Sequence, residues 1–228
     1  MSICKRKVDG YSVYINESNR DIGALMHKYF NNEIKGIKLN SGHALRTVEL
    51  IEFKSKKFIL KNDKEIDARL EKRIQSIIFG PFYSRLMKKL HNLRKEQRAC
   101  TPELYYVAEK VKFRQCIDVY ALYEYIEGDP LKSIDHKNSD RIKQCITDLH
   151  QVGLASNDIH PDNFIQTKSD ELKVIDLSFK GSLKVCQAND IYTLRNKYGI
   201  NFSGKGVVFH LISTKEKLKE LSRRIRGK

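Results

Sequence analysis

The sequence has no apolar run that could cross a bilayer and no cluster of cysteines. Its longest apolar stretches, such as Ile77-Ile78-Phe79 and Val207-Val208-Phe209, are far shorter than the ~18 residues of a membrane span, and the N-terminus has no signal-peptide core. The five cysteines are scattered and form no CxxC or Cys/His motif, which argues against a zinc or redox site. We therefore expect a cytoplasmic protein in a reducing compartment.

Acidic residues are scarce relative to basic ones. The 228 residues include 43 Lys and Arg but 28 Asp and Glu, which gives a formal net charge of +15 at pH 7. Such a chain attracts an anionic partner, and nucleic acid, an acidic membrane surface or a polyanionic substrate would each satisfy that condition. Because the basic stretches lack interleaved aromatic residues, we expect no nucleic-acid partner.

The first half of the chain is rich in β-branched and aromatic residues. The predicted strands lie at 11–15, in a hairpin over 47–61 with its turn at 55–57, at 104–107 and at 119–126. Between them, apolar residues recur at helical spacing from 67 to 95, with an interruption at Gly80-Pro81. This pattern predicts two helices joined by a break.

The second half of the chain is mainly helical in pattern. Over 139–152 an apolar stripe predicts an amphipathic helix, with Ser139 as its N-cap and Gly153 as its C-cap. A short strand is expected at 172–175 and another helix at 189–197. Strands followed by helices indicate an α+β fold. We expect a single two-lobed domain, with an N-lobe at about 1–123, a hinge at about 124–129 and a C-lobe at about 130–228.

Three polar side chains in the segment SNDIHPDNFIQTKSDELKVIDLS have the spacing of a phosphoryl-transfer site. Asn163 and Asp176 follow Asp158 by five and eighteen residues. In such a site one Asp accepts a hydroxyl proton, while an Asn and a second Asp at the end of the next apolar run hold Mg²⁺ on the ATP phosphates. The spacing therefore predicts a kinase that uses ATP and Mg²⁺, with Asp158 as the base and Asn163 and Asp176 as metal ligands.

The first half of the chain supplies a candidate phosphate-orienting lysine. Lys61 follows the apolar strand residues 58–60, the place that such a lysine has in kinases. Its acidic partner stays open among Glu71, Glu65 and Glu96, because no spacing decides between them.

The nucleotide is predicted to meet two further segments. There is no GxGxxG motif, so a shorter loop around Gly42 is expected to cover the phosphates. The run LYEYIEG over 122–128 matches a kinase hinge, in which the backbone groups of Glu124 and Ile126 contact adenine.

His160 lies two residues after the predicted base, where protein kinases that modify Ser or Thr commonly carry a lysine. The run Asp-Ile-His-Pro-Asp-Asn resembles the catalytic loop of small-molecule phosphotransferases, and His160 is either catalytic or a hydrogen-bonded structural residue. No Ala-Pro-Glu motif follows Asp176, which argues against a phosphorylation-gated protein kinase. Asp190, in the next predicted helix, is expected to hydrogen-bond the catalytic loop.

Several segments together resemble one bacterial family. They are VDGYSVY at 8–14, YEYIEG, DIHPDNFI, VIDLSFKG and ANDIYTLRNKYGI. Across nearly the whole chain they are similar to the lipopolysaccharide core heptose(II) kinases. The resemblance implies ATP-dependent phosphorylation of a heptose hydroxyl in the lipopolysaccharide inner core, on the cytoplasmic side of the inner membrane.

The resemblance implies an anionic partner for this positively charged chain, because nascent lipopolysaccharide is an anionic glycolipid in an anionic membrane surface. The basic segment 215–226 is either a peripheral membrane contact or a solvated helix. Two rivals stay open at this stage. One is a kinase of the same fold that acts on another hydroxyl, such as that of an aminoglycoside, choline or Kdo, and the other is a degenerate nucleic-acid-binding or scaffold protein.

Overall fold

The computed structural model describes residues 3–17, 21–39, 46–64, 78, 80–95, 100–113, 115–177, 183–202, 208–215 and 218. The chain divides into two compact units, Met1–Glu127 and Gly128–Lys228. Within the described ranges, no helix has both the length and the apolar character needed to cross a membrane.

A seven-stranded antiparallel sheet dominates the first unit, in the order β1-β2-β6-β7-β5-β4-β3. Its strands are β1 (Ile3–Val8), β2 (Tyr11–Asn16), β3 (Ile37–Leu39), β4 (Arg46–Phe53), β5 (Lys56–Asp63), β6 (Leu104–Lys112) and β7 (Gln115–Glu124). The predicted hairpin over 47–61 is confirmed as β4 and β5, but the predicted turn at 55–57 was wrong, because Lys56 and Lys57 pair within β5 and the turn consists of Lys54 and Ser55. Both turn residues have positive φ, at 50° and 60°, as a tight two-residue turn requires.

The core of the first unit forms where helix α1 (Ile22–Phe30) packs against the sheet. Ile22, Leu25 and Met26 lie one turn apart on α1 and are fully buried. Their neighbours are apolar side chains from the sheet, namely Val13, Ile51, Phe58, Leu60, Tyr106, Ala108 and Leu122. The sequence pattern did not predict α1, because nine residues give too short a stretch of periodicity.

Helix α2 (Phe82–Lys95) confirms the second of the two helices predicted over 67–95. It begins just after Gly80, which has a φ of 77°. Buried Glu109 on β6 accepts the N–H of Ser84 in its first turn at 2.9 Å, where the helix dipole favours a carboxylate. The first predicted helix, apart from residue 78, lies outside the described residues.

The second unit contains a three-stranded antiparallel sheet in the order β10-β9-β8 and further helices. The elements are β8 (Gly128–Pro130), α3 (Ser139–Gln151), a 3-10 turn (Pro161–Asn163), β9 (Phe164–Thr167), β10 (Leu172–Val174) and α4 (Leu183–Tyr198). Residues 208–215 are also helical. Of the basic segment 215–226, only Lys215 and Leu218 lie among the described residues.

Helix α3 has the predicted apolar stripe, because Ile142, Ile146 and Leu149 are fully buried. Its end is also as predicted. Gly153 has a φ of 70° and donates its N–H to the carbonyl of His150, while Leu154 donates to Leu149, which together form a Schellman motif. The predicted N-cap was wrong, because Asn138 occupies that position and the hydroxyl of Ser139 donates instead to the carbonyl of His136.

The two units together have the α+β composition that the sequence predicts. The large sheet is built from residues 3–124, and α3 and α4 follow it in the chain. Helix α4 begins at Leu183, six residues before the predicted start at 189.

Candidate active site

The loop between α3 and β9 carries the predicted base. Apolar Ala155 and Ile159 are buried, whereas Asp158 and His160 are exposed. The loop is thus packed against the second unit through its apolar residues. Asp158 and His160 face solvent, where a substrate could meet them.

Asp190 on α4 holds the backbone of this loop. Its carboxylate is fully buried and accepts the N–H of Asn157 at 2.6 Å and the N–H of Ser156 at 3.0 Å. The same oxygen that accepts from Ser156 lies 3.0 Å from Nε2 of His150 on α3. A buried carboxylate is stable only when its oxygens are hydrogen-bonded in this way. The expectation that Asp190 bonds the loop is confirmed.

Asn163 and Asp158 are in direct contact. The amide Nδ2 of Asn163 donates to the backbone carbonyl of Asp158 at 2.8 Å, and Ser156 Oγ donates to that same carbonyl at 3.3 Å. Because the carbonyl can only accept, the Asn163 nitrogen is fixed as the donor and its Oδ1 is the remaining polar atom. The Asp158 carboxylate takes no part in these bonds, so the backbone positions the base.

Asp176 lies next to this pair. It follows β10, and the N–H of the preceding Ile175 donates to the carbonyl of Asn163 at 2.9 Å. Asp176 is exposed and has a φ of 60°, in the left-handed region that few residues other than glycine adopt. Such backbone strain is concentrated at functional sites. Hydrogen bonds through Asn163 therefore bring Asp158 and Ile175, the residue before Asp176, into one assembly.

The oxygen atoms of this assembly suit a hard cation. Mg²⁺ prefers oxygen ligands, retains several waters and is commonly bound by one or two protein carboxylates plus substrate phosphates. Within the described ranges, no group of three or more His, Cys, Asp or Glu side chains is placed to hold a metal ion by itself. Asn163 Oδ1 and the Asp176 carboxylate fit a magnesium ion whose other ligands are phosphate oxygens and water.

His160 begins the 3-10 turn that ends at Asn163. Its Nδ1 lies 3.2 Å from the carboxylate of Asp162, and about half of its side chain, 52%, is exposed. Asp162 was not among the predicted site residues. Its position two residues after a histidine is too common a pattern to identify the contact from sequence.

The first unit contains the predicted nucleotide-binding residues. Lys61 on β5 is paired with Ala121 on β7, and its Nζ lies 5.4 Å from the ring centroid of Tyr123. Glu124, at the end of β7, donates its N–H to the carbonyl of Glu103 at 2.8 Å. The N–H of Glu124 is therefore engaged within the first unit.

Of the remaining predicted residues of the first unit, only Ile126 lies among the described residues. Ile126 follows β7 in a half-buried segment without regular secondary structure. Gly42 and the three candidate partners of Lys61 at 65, 71 and 96 lie outside the described residues.

Comparison with known proteins places the chain in a family. Residues 2–228 match the family described as "Lipopolysaccharide core biosynthesis protein (WaaY)". The chain belongs to the WaaY family. The resemblance inferred from the sequence segments is thereby confirmed.

Two WaaY relatives span almost the whole chain. One is the lipopolysaccharide core heptose(II) kinase WaaY of Escherichia coli strain K12, which is 30% identical over 229 residues, 99% of this chain and 98% of the relative. Another, from Escherichia coli and of the same name, is 24% identical over 222 residues, 96% of each chain. Identity of this size across the full length is compatible with a shared fold.

Most of the segments that carry the WaaY resemblance contain candidate site residues, whereas VDGYSVY lies in β1 and β2. YEYIEG spans the end of β7, and DIHPDNFI covers the loop from Asp158 to the start of β9. ANDIYTLRNKYGI lies largely in α4, with Asp190 at its third position. The segment VIDLSFKG is described only as far as residue 177.

Proposed function

We propose that this WaaY family chain is an ATP-dependent kinase that phosphorylates a heptose hydroxyl of the lipopolysaccharide inner core. The observation that supports the proposal is the pair of bonds that link Asn163 to Asp158 and to Ile175, the residue before Asp176, because they bring a candidate base and two candidate metal ligands close together. The names of the two relatives support heptose as the acceptor.

The proposed architecture is a protein-kinase-like fold. The strand-rich unit Met1–Glu127 is assigned as the N-lobe and the unit Gly128–Lys228 as the C-lobe, with a hinge at about 124–129. Lys61 lies on a central strand of the first unit, and Glu124 ends the neighbouring strand. These are the positions that an ATP-orienting lysine and an adenine-binding hinge have in kinases.

The proposed reaction is direct transfer of the γ-phosphoryl group. The Asp158 carboxylate accepts the proton of the heptose hydroxyl while the sugar oxygen bonds to the γ-phosphorus and the bond to the ADP oxygen breaks. Lys61 orients the α- and β-phosphates, and His160 contacts the acceptor sugar beside Asp158. Asn163 and Asp176 would hold Mg²⁺, which would supply positive charge against the phosphate oxygens.

The proposed location is the cytoplasmic face of the inner membrane, in peripheral contact with it. The net charge of +15 favours an anionic glycolipid in an anionic membrane surface. Nucleic acid is not a proposed partner, because a catalytically degenerate scaffold would not require the Asp158, Asn163 and Asp176 assembly.

The proposal is tested on the core oligosaccharide itself. Mass spectrometry of the core from cells with and without the gene should show the loss of one heptose phosphate. The purified protein with ATP and Mg²⁺ should restore that phosphate to the deficient core, whereas an Asp158→Asn variant should not. A core that is unchanged without the gene, or transfer to an aminoglycoside or choline in preference to the core, contradicts the assignment of the substrate.

A further inference from the structure

One end of the large sheet exposes apolar and basic side chains together. Phe113 is 86% exposed, Val8 is 50% exposed and Val111 is 39% exposed. Lys7, Lys110 and Lys112 are exposed beside them in the sequence. We name these six residues the Phe113 corner.

Strand register places the Phe113 corner at a single edge of the molecule. Val8 at the end of β1 is paired with Tyr11, and Tyr11 is paired with Lys110 on β6. Neighbouring strands lie about 4.8 Å apart, so Val8 and Lys110 are about 10 Å apart across the sheet. Lys112 is the last residue of β6, and Phe113 follows it in the turn to β7.

The scaffold under the corner is well fixed. The hydroxyl of Tyr11 donates to the carboxylate of Asp118 at 2.6 Å, and Asn62 Nδ2 donates to the other oxygen of that carboxylate at 2.8 Å. Phe113 itself has a φ of 49°, an uncommon conformation for a bulky residue. Because Lys112 pairs with Gln115 around this turn, the positive φ is what a two-residue hairpin turn requires, as at Lys54 and Ser55. An aromatic ring that is 86% exposed among other exposed apolar side chains and lysines nevertheless points to a partner.

The chemistry of the corner matches the surface of an anionic bilayer. Aromatic side chains prefer the boundary between headgroups and acyl chains, and lysines beside them attract acidic lipids. Lysines on an edge strand such as β1 also prevent strand pairing between molecules. That role explains Lys7 but gives no reason for an exposed Phe113 on an interior hairpin. Asp9, in the turn after Val8, is an exposed acid close in sequence to the corner.

We infer that the Phe113 corner docks the protein onto anionic membranes, with the Phe113 ring inserted at the headgroup level and the lysines on lipid phosphates. None of its six residues belongs to the basic segment 215–226 or to the candidate active site, and the inference rests on the proposed peripheral membrane location. It would hold the enzyme at the surface in which a lipid-linked saccharide is presented.

The chain contains no tryptophan, so Phe113→Trp creates a single reporter at the proposed insertion point. On vesicles of phosphatidylcholine with phosphatidylglycerol, its emission should shift to the blue and be quenched by brominated lipid. The matched control is Ile37→Trp, at a 68% exposed position on β3 at the other edge of the sheet. Its emission should stay that of a water-exposed indole. A protein that binds vesicles while the Trp at position 113 stays in water overturns the inference, because another surface then makes the contact.

Charge reversal tests the lysines separately. Lys112→Glu should weaken co-sedimentation with the same vesicles by about tenfold, since each basic residue near an anionic surface contributes measurably to binding. Lys56→Glu, at the opposite end of the sheet, makes the same charge change and should have a much smaller effect. Equal losses for the two variants, equal binding to pure phosphatidylcholine, or no binding at all each overturn the inference. No nucleotide or saccharide is present, so the result is independent of the proposed kinase activity.

Discussion

The buried carboxylate of Asp190 accepts the backbone N–H of Asn157 at 2.6 Å, although the two residues are 33 positions apart. Asn157 directly precedes the proposed base and has a φ of 58°. The bond ties an unusual backbone conformation in the loop to the interior of α4. The position of Asp158 therefore depends on a fully buried residue of the helix α4.

We expect Asp190→Asn to destabilise the protein and to lower its activity. The carboxylate accepts one N–H with each oxygen, whereas the Asn amide has a single oxygen and an NH₂ group that would face the second N–H donor. Breaking such a buried network costs about 2–4 kcal/mol. Chemical denaturation followed by circular dichroism measures the loss. Asp140→Asn, an exposed position on α3, is the matched control and should change stability little. An unfolding free energy unchanged by Asp190→Asn would contradict the proposed anchoring.

Asp158→Ala should remove phosphoryl transfer while the fold persists. A general base contributes about 10²–10⁴-fold to turnover, and the Asp158 bonds to Ser156 and Asn163 are made by its backbone carbonyl, which the variant retains. The unfolding free energy should stay within about 0.5 kcal/mol of the parent value. Turnover with ATP and core oligosaccharide, together with ATP binding by thermal shift, provides the measurements. Full turnover in the variant would remove Asp158 from the mechanism.

Lys61→Ala should weaken the productive binding of ATP. The loss of a charged hydrogen bond to phosphate corresponds to about tenfold to hundredfold in kcat/KM for ATP. Lys56→Ala, an exposed lysine at the start of the same strand, removes the same charge without affecting a predicted nucleotide contact. Steady-state kinetics with varied ATP distinguishes the two variants. Equal kinetics would show that Lys61 does not bind the phosphates.

Substitution of two histidines should separate a catalytic from a structural role. His150→Ala removes the partner of the buried Asp190 carboxylate, so it should lower the melting temperature. His160→Ala alters a half-exposed side chain that contacts Asp162, so stability should hardly change while the KM for the acceptor saccharide rises. Differential scanning fluorimetry and acceptor titration measure the two effects. If His160→Ala lowers stability as much as His150→Ala, His160 is a structural residue.

The stability of the protein should decline in alkaline solution. Burial raises the pKa of Tyr106 from 10.0 to about 12, so the folded state retains a proton that the unfolded chain releases first. The resulting stabilisation is complete below about pH 10 and is lost as the pH rises towards 12, a loss of about 2 kcal/mol. Burial and a hydrogen bond to a carboxylate raise the pKa of Tyr11 and Tyr29 in the same direction.

Tyr106→Phe should be less sensitive to pH over that range. Denaturation curves at pH 8 and at about pH 11 give the difference between the parent and the variant. Parallel losses of stability in both proteins would mean that Tyr106 does not contribute to the alkaline decline.

Local sequence patterns were sufficient to predict those elements whose structure depends on a few neighbouring residues. The hairpin of β4 and β5 follows from its strand residues and a two-residue turn, and the apolar stripe of α3 follows from the helical repeat. The end of α3 was predictable because Gly153 adopts a positive φ at little cost. Long-range pairing was not predictable in this way. The charged strand β1 exists because it pairs with β2, and α1 is stabilised by packing on the sheet.

The sequence by itself determined the identity and spacing of Asp158, Asn163 and Asp176, and the family to which the chain belongs, because catalytic groups are chosen by their chemistry. Only the tertiary structure decided which partners hold them. Asp190 reaches the loop across 33 residues, and Glu109 meets Ser84 at the start of α2 across 25. Such contacts depend on burial, which pairs a polar group with whichever donor or acceptor the packed chain brings within reach.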